Sequence, residues 1–175
     1  MATTTPSRLI VIVAASLLGA LIFRDLLLER IYIATPSMEP TLAVRSAWWV
    51  DKLTLRRRRP QRGEIVVLAS PVTAEKDLVK RVIAIAADTV EIRDKIVYVN
   101  GREIPEPYVQ HTRANEMLVG DNLGPLKVPP DHLFVLGDNR DESGDSRDWK
   151  NLSTGEHVYF VHRDLIKGKL IGVPK

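Results

Sequence analysis

Cysteine is absent from the 175-residue chain. That excludes disulfide scaffolds, Cys-ligated zinc, iron–sulfur clusters and thiol nucleophiles, and it leaves the redox compartment open. A strong charge of one sign is missing too. The 25 Lys and Arg against 22 Asp and Glu leave +3, too little for a basic nucleic-acid arm. Internal repeats, low-complexity tracts and helical periodicity beyond residue 30 are lacking, and so are a G-x-S-x-G elbow, an H-E-x-x-H pair and a P-loop. His111, His132, His157 and His162 fall in no ligand-like spacing, so surface or loop positions are predicted for them. A Ser-His-Asp triad has no local support, although its members need not be neighbours in sequence. An EF-hand phased on Asp141 fails, because Ser146 stands where Gly is required and Leu152 where Glu is. No cofactor and no metal site is predicted.

What remains is a foldable chain, 45% hydrophobic and 27% charged, long enough for one domain and a small appendage. The appendage is Leu9–Phe23, LIVIVAASLLGALIF, 15 residues without charge. As a helix that run covers about 22 Å, short of the roughly 30 Å hydrocarbon core. Extended through Arg24, Asp25 and the three leucines to Leu28 it reaches 20 residues, enough to cross if Arg24 snorkels to the interface. Pro6 suits a helix start. A cleaved secretory signal would need small residues after the run, and RDLLLERIYI is bulky and charged. A buried helix would show a polar stripe, and none is present. An uncleaved membrane anchor over residues 9–28 is the reading, after a tail of residues 1–8 and before a domain over 29–175. Arg8 before the span and Arg24 and Arg30 after it leave orientation undecided.

The domain reads as mostly β. Ile65–Leu68 and Leu78–Ala87 are buried-strand runs, and Val90–Arg93, Ile96–Asn100 and Arg102–Ile104 are short β-branched ones. Asp94-Lys95 and Asn100-Gly101 separate the last three as hairpin turns. Leu133–Leu136 leads into the turn cluster Gly137-Asp138-Asn139. Val158–Val161 and Leu170–Val173 are expected to close the fold, Ala43–Leu55 to hold a short element, and His111–Pro130 to contain the longest loop. The run Arg56–Arg59, with Arg62 nearby, reads as a solvated loop or a contact for anionic lipid head groups. Without interleaved aromatics it does not read as a nucleic-acid site.

Ser37 lies in TPSMEPTL between two prolines, which fix the backbone around its hydroxyl; a serine so placed is most often a turn residue. Lys80 shares a strand face with Val82, Ala84 and Ala86 if alternation holds. Desolvation there would favour the neutral amine, a general base. Moving it from about 10.4 to roughly 8 would cost about 3 kcal/mol, and an edge lysine reaching solvent is the commoner situation. Gly137–Trp149, GDNRDESGDSRDW, mixes Arg140 and Arg147 among acids, which predicts internal charge pairing in a rigid polar loop.

Together these segments resemble the type I signal peptidases, membrane-anchored Ser/Lys proteases that remove signal peptides from exported proteins. The order is the family's over nearly the whole chain: an apolar anchor, the box Ser37–Leu42, the strand Gly63–Val67, the lysine box Lys80–Ala84, and Gly137–Arg147. The resemblance implies a signal-peptidase-like antiparallel β catalytic domain with one N-terminal transmembrane helix. It implies Ser37 as acyl-forming nucleophile, Lys80 as its general base, and an oxyanion hole from the Ser37 N–H and the Thr35 hydroxyl. Ser143 would orient the lysine, with Asp145 and Arg147 bracing the site. The substrate would add as a β-strand with its −1 and −3 residues in small pockets lined by Ile31, Ile33, Met38, Leu42, Leu78 and Val79. Preprotein signal peptides and membrane lipid are the implied partners, nucleic acid is not, and oligomeric state is left open. The implied location is a membrane, most simply the bacterial plasma membrane or else a thylakoid or other organelle membrane, with the domain on the non-cytosolic side. Four positions depart from the family pattern: Pro36 where glycine is usual, Glu64 where aspartate is, Ala87-Asp88 for Gly-Asp, and Trp149-Lys150-Asn151 without a following glycine. A single-substrate Ser/Lys peptidase and an inactive anchored binding protein are the competing readings. The anchor and acidic box weigh against the first competitor, and joint presence of Ser37, Lys80, Ser143 and Asp145 against the second.

Overall fold

The computed structural model describes residues 6–73 and 76–173; the side chains of residues 6, 7, 18 and 20–26 lie outside the described set. Helix α1 spans Pro6–Leu27. Its described residues from Leu9 to Val13 are all exposed, at 51–69%, so the helix presents apolar side chains in every direction. Among the described residues no helix is long and apolar enough to cross a membrane, and part of the anchor expected over 9–28 falls on side chains outside them. The helix ends one residue before that range: Leu28 opens β1 (Leu28–Tyr32) and pairs with Asp51.

The rest is antiparallel sheet. β2 is Ala47–Asp51, followed by the single helical turn α2 (Thr54–Arg57). Then come β3 (Ile65–Ala69), β4 (Asp77–Ile85), β5 (Thr89–Arg93), β6 (Ile96–Val99), β7 (Arg102–Glu103), β8 (Leu123–Lys127), β9 (His132–Leu136), β10 (Val161–His162) and β11 (Ile166–Ile171). Seven strands form one sheet in the order β1-β2-β11-β3-β4-β9-β10, and four form another in the order β7-β6-β5-β8. β3 lies at the centre of the large sheet, and its first four residues, Ile65–Leu68, are all buried, as a central strand with both faces covered requires.

The span between Asp88 and Gly137 holds the whole second sheet, the three short runs read from the sequence joined by β8. It is not a separate body. Val90, Ile92, Val97, Val99 and Val128 share one core with Ile83, Ala84, Phe134 and Leu136 of the large sheet. Asp94-Lys95 and Asn100-Gly101 all have positive φ, between 47° and 77°, the two-residue hairpin conformation whose twist matches the strands. β8, placed inside the expected long loop, contains Pro125 and pairs only with β5; proline is tolerated there because the strand is an edge. The closing strands, Val161–His162 and Ile166–Ile171, overlap the two apolar runs read from the sequence at Val161 and at Leu170-Ile171, but β10 begins where the first run ends and β11 begins four residues before the second.

Candidate active site

Ser37 sits in a tight 3-10 turn, Pro36–Met38, closed by Glu39 N–H donating to Pro36 O at 3.0 Å. Thr35, extended at φ −129° and ψ 153°, leads into it, the conformation a residue before proline prefers. Only 8% of Ser37 is exposed. Its Oγ lies 3.2 Å from Thr35 Oγ1, and its carbonyl accepts the Asn139 N–H at 3.2 Å.

Lys80 stands on β4, 3% exposed. Arg81 pairs with Leu136 across β4 and β9, so one step along the register sets Gly137 opposite Lys80. Arg81, next to Lys80, grips Asp138 with Nε–Oδ1 at 2.8 Å and Nη2–Oδ2 at 2.6 Å. Thr41 Oγ1 donates to the same carboxylate at 2.5 Å. A bidentate buried pair of this kind is geometrically demanding. It links the lysine strand to Asp138-Asn139 and, through Asn139 N–H, to the Ser37 turn. The sequence reading missed this brace, because its two partners stand 57 residues apart. Tyr108 stacks under the Arg81 guanidinium, 3.8 Å from Cζ to the ring centroid.

A Cβ at Gly137 would collide with the Ser143 side chain and the Ser37 carbonyl, so glycine is what lets the nucleophile turn, the lysine strand and the acidic loop converge. The Ser143 Oγ is buried there without a hydrogen-bond partner among the described residues. Asp145, fully buried, accepts the Gly137 N–H at 3.1 Å and Arg147 Nε at 2.9 Å. Burial pushes its carboxyl up, but the Arg147 charge and hydrogen bonds, with Lys80 and the Gly137 N–H, hold it below the ordinary value. Burial drives the Lys80 amine down from its ordinary 10.5, and the opposing pull of Asp145, Asp148 and Asp138 does not cancel it.

This corrects the expected all-apolar neighbourhood. A β-bulge between Val82 and Ala84 breaks the alternation. Val82 packs with Val66 and Trp149, while Ala84 joins the core beneath the second sheet. Lys80 thus keeps Val82 but not Ala84 on its face, and the acidic loop brings the charges of Asp138, Asp145, Arg147 and Asp148 to bear on its buried amine.

A groove of about 360 Å³ runs past both residues. Ile33, Met38, Leu78 and Val79 line it as expected, with Thr35, Ser37 and Lys80. Leu42 does not: it is wholly buried in a core with Val50, Ile65 and Leu170, and Ile31 packs half-buried against that cluster. Ser70, Val72 and Thr73 from the β3–β4 connection, and Trp149, also line it; none of them was read from the sequence as a substrate contact.

A family model described as signal peptidase, peptidase S26, matches residues 6–173. The chain belongs to the signal peptidase family. It is 37% identical over 161 residues to signal peptidase I P of Bacillus subtilis subsp. natto, covering 86% of each chain. It is 40% identical over 152 residues to a probable signal peptidase I-2 of Synechocystis, covering 83% of this chain and 62% of the relative. Signal peptidase I T of Bacillus subtilis is 34% identical over 168 residues, 90% of this chain and 86% of that one. This signal peptidase is thus a serine peptidase, and two of its four departures from the family pattern have visible local consequences. Glu64 uses its extra methylene to hold Arg58 and Lys169 together, with Arg58 Nη1 at 2.9 Å and Lys169 Nζ at 3.2 Å. Ala87 occupies φ 74°, the region glycine favours. The Arg56–Arg62 run is largely tied down: Arg58 to Glu64, Arg59 to Asp131 and Arg62 to Asp88, leaving Arg56 and Arg57 exposed.

Proposed function

We propose that this signal peptidase cleaves signal peptides from exported preproteins with a Ser37/Lys80 dyad and an acyl-enzyme intermediate. One observation carries the reading: Ser37 and Lys80 line the same groove, both buried, with the amine driven toward neutrality by that burial. The substrate chain lies in the groove, its −1 and −3 side chains against Ile33, Met38, Leu78 and Val79. The neutral Lys80 amine takes the Ser37 proton as Oγ bonds to the scissile carbonyl carbon. Charge developing on the carbonyl oxygen is met by the Ser37 N–H and the Thr35 hydroxyl. The protonated Lys80 then gives its proton to the leaving amine as the C–N bond breaks, which leaves an ester on Ser37. Water, deprotonated by Lys80, hydrolyses the ester and restores both groups. The unpartnered Ser143 hydroxyl supports a role in orienting the amine, and the Asp145–Arg147 pair supports a bracing one.

The same proposal holds the enzyme to a membrane through α1, with the β domain on the non-cytosolic face. Consecutive exposed apolar residues on α1 support it, because such a helix has no aqueous explanation. Incubation of the full chain in detergent with a signal-peptide substrate, wild type beside Ser37→Ala, tests the chemistry. Cleavage by wild type alone, with an ester adduct on Ser37 in the intact-protein mass, is expected. Equal cleavage by Ser37→Ala overturns it.

A further inference from the structure

The second sheet touches the Gly137–Arg147 loop through a cluster of buried charges. Lys95, in the β5–β6 turn, donates its N–H to Asp121 O at 3.0 Å. Its Nζ stands 3.4 Å from Asp121 Oδ2 and 3.4 Å from Asp141 Oδ1. Asp141 also meets the Arg113 N–H at 2.6 Å and His111 Nδ1 at 3.3 Å. Asp121 is 1% exposed. Its Oδ2 accepts the Leu118 N–H at 2.7 Å, while Oδ1 has no hydrogen-bond partner and lies 3.9 Å from Arg147 Nη1. Arg147 spends Nε and Nη2 on Asp145, at 2.9 and 3.0 Å. Gly120, at φ +87°, lies flat against Arg147, where any Cβ would strike the arginine Cβ.

A carboxylate this deeply buried is costly unless it is compensated. The loop needs only one acceptor for Leu118, and that is Oδ2. Arg147 Nη2 also donates to the Arg140 carbonyl at 2.5 Å, so the second Asp121 oxygen, without a hydrogen bond among the described residues, faces Nη1, the guanidinium nitrogen that carries none. We propose that Asp121, held by Lys95, is a positioning residue of the active site: it fixes the far edge of the Arg147 guanidinium so that the near edge stays on Asp145, the carboxylate beside Lys80. The proposal rests on the Ser37/Lys80 reading. It gives the second sheet a part in catalysis although Asp121 and Lys95 lie outside the groove lining.

The charged groups around Lys80 are Asp145, Asp148, Asp138 and Arg147; those on Arg147 are Asp145, Asp148 and Asp121. Loss of the Asp121 carboxylate releases Arg147 Nη1, and loss of Lys95 releases Asp121, so either change lets Arg147 slip from Asp145. Asp145 then presents more negative charge to Lys80, which favours the protonated amine and moves the acidic limb of the kcat–pH profile to higher pH. Charge without positioning acts differently: removing the Asp121 carboxylate would move the limb down. The experiment is steady-state kinetics of the full-length enzyme in detergent from pH 5 to 10, with wild type, Asp121→Asn, Lys95→Met and Ser37→Ala. Upward displacement in both Asp121→Asn and Lys95→Met, by about 0.5 pH unit or more and with KM within about two-fold of wild type, is expected. No displacement, or a downward one in Asp121→Asn, overturns the proposal. If Asp121→Asn does not fold, Lys95→Met decides alone: a limb that stays or moves down overturns it. Failure of the underlying reading looks different, as an active Ser37→Ala or a wild-type rate without an acidic limb.

Discussion

Thr35 carries its hydroxyl oxygen 3.2 Å from Ser37 Oγ, across a proline that has no N–H to offer. In the proposed mechanism, attack by Ser37 creates an oxyanion, and the Ser37 N–H supplies one donor. The backbone just before it cannot supply a second, because that residue is Pro36. The Thr35 hydroxyl is the nearest donor, and its β-branch restricts χ1, which favours preorganisation. Thr35→Val keeps the shape and loses the donor. Its kcat is expected to fall by roughly 10²–10³-fold with little change in KM, and Thr35→Ser to retain much of the rate. Kinetics on one peptide decides it: turnover of Thr35→Val within a few-fold of wild type would assign the oxyanion to another group.

The pH dependence follows from the direction of the Lys80 shift. In the proposed dyad only the neutral amine can accept the Ser37 proton. Burial lowers its pKa from 10.5, so the fraction of competent enzyme rises with pH and saturates well before an ordinary lysine would. Lys80→Arg is expected to be nearly inactive at every pH, since a guanidinium stays protonated. A rate flat from pH 5 to 10, or an active Lys80→Arg enzyme, would remove Lys80 from proton transfer.

Glu64 makes a stability prediction of opposite sign to a base's. Burial pushes its carboxyl up, but hydrogen bonds from Arg58, the Gln61 N–H and Lys169 bring it down from 4.5 to about 2. A depressed acid stabilises the fold above its unfolded pKa, near 4.5, and that contribution fades as pH falls through the folded one, near 2. Full realisation would give about 3 kcal/mol. Arg58 is 34% exposed, so screening reduces this to about 1–2 kcal/mol. Glu64→Gln is expected to lose that much at pH 7 in urea unfolding and to match wild type near pH 2. A loss that is the same at both pH values would mean packing, not charge, is what Glu64 supplies.

The strands that carry the site were readable because their apolar runs are buried on both faces, as in Ile65–Leu68, or punctuated by hairpin pairs such as Asn100-Gly101. β11 was read only at its end, Leu170-Ile171. Its sequence, IKGKLI, alternates apolar and polar residues, but Gly168 weakens the apolar face, and the strand is completed because β2 and β3 flank it on both sides, a tertiary demand on a segment of weak propensity. The Ser37 and Lys80 segments stood out by composition. The brace between them did not, since Arg81–Asp138 spans 57 residues and pairing at that separation leaves no local trace. The bulge after Val82 was likewise silent; it takes Ala84 off the lysine face, while the charge beside Lys80 comes from Asp138, Asp145 and Asp148 of the acidic loop.

Ala87 ends the lysine strand at a position where its own stereochemistry is a handicap. It turns the chain from β4 to β5, with its N–H donating to Val128 O at 3.1 Å and the Asp88 N–H donating to Ile85 O at 3.0 Å. The turn fixes φ at 74°, where a Cβ crowds the following carbonyl at a cost of about 1–2 kcal/mol. Glycine would relieve that cost but adds about 0.4–1 kcal/mol of unfolded-chain entropy. The relief is the larger quantity. Ala87→Gly is therefore expected to stabilise by up to about 1 kcal/mol, raising Tm by about 2–4 °C for a chain of this size. Ala87→Val, with two branches at the same φ, is expected to lower it. Gly101, at φ 77° with open space around its Cβ position, serves as the internal control: Gly101→Ala imports the same handicap and is expected to destabilise by a similar amount. Since Ala87 lies outside the groove lining, kcat of Ala87→Gly is expected within about two-fold of wild type. A fall in Tm for Ala87→Gly alongside a fall for Gly101→Ala would show that the β4–β5 turn tolerates alanine without strain.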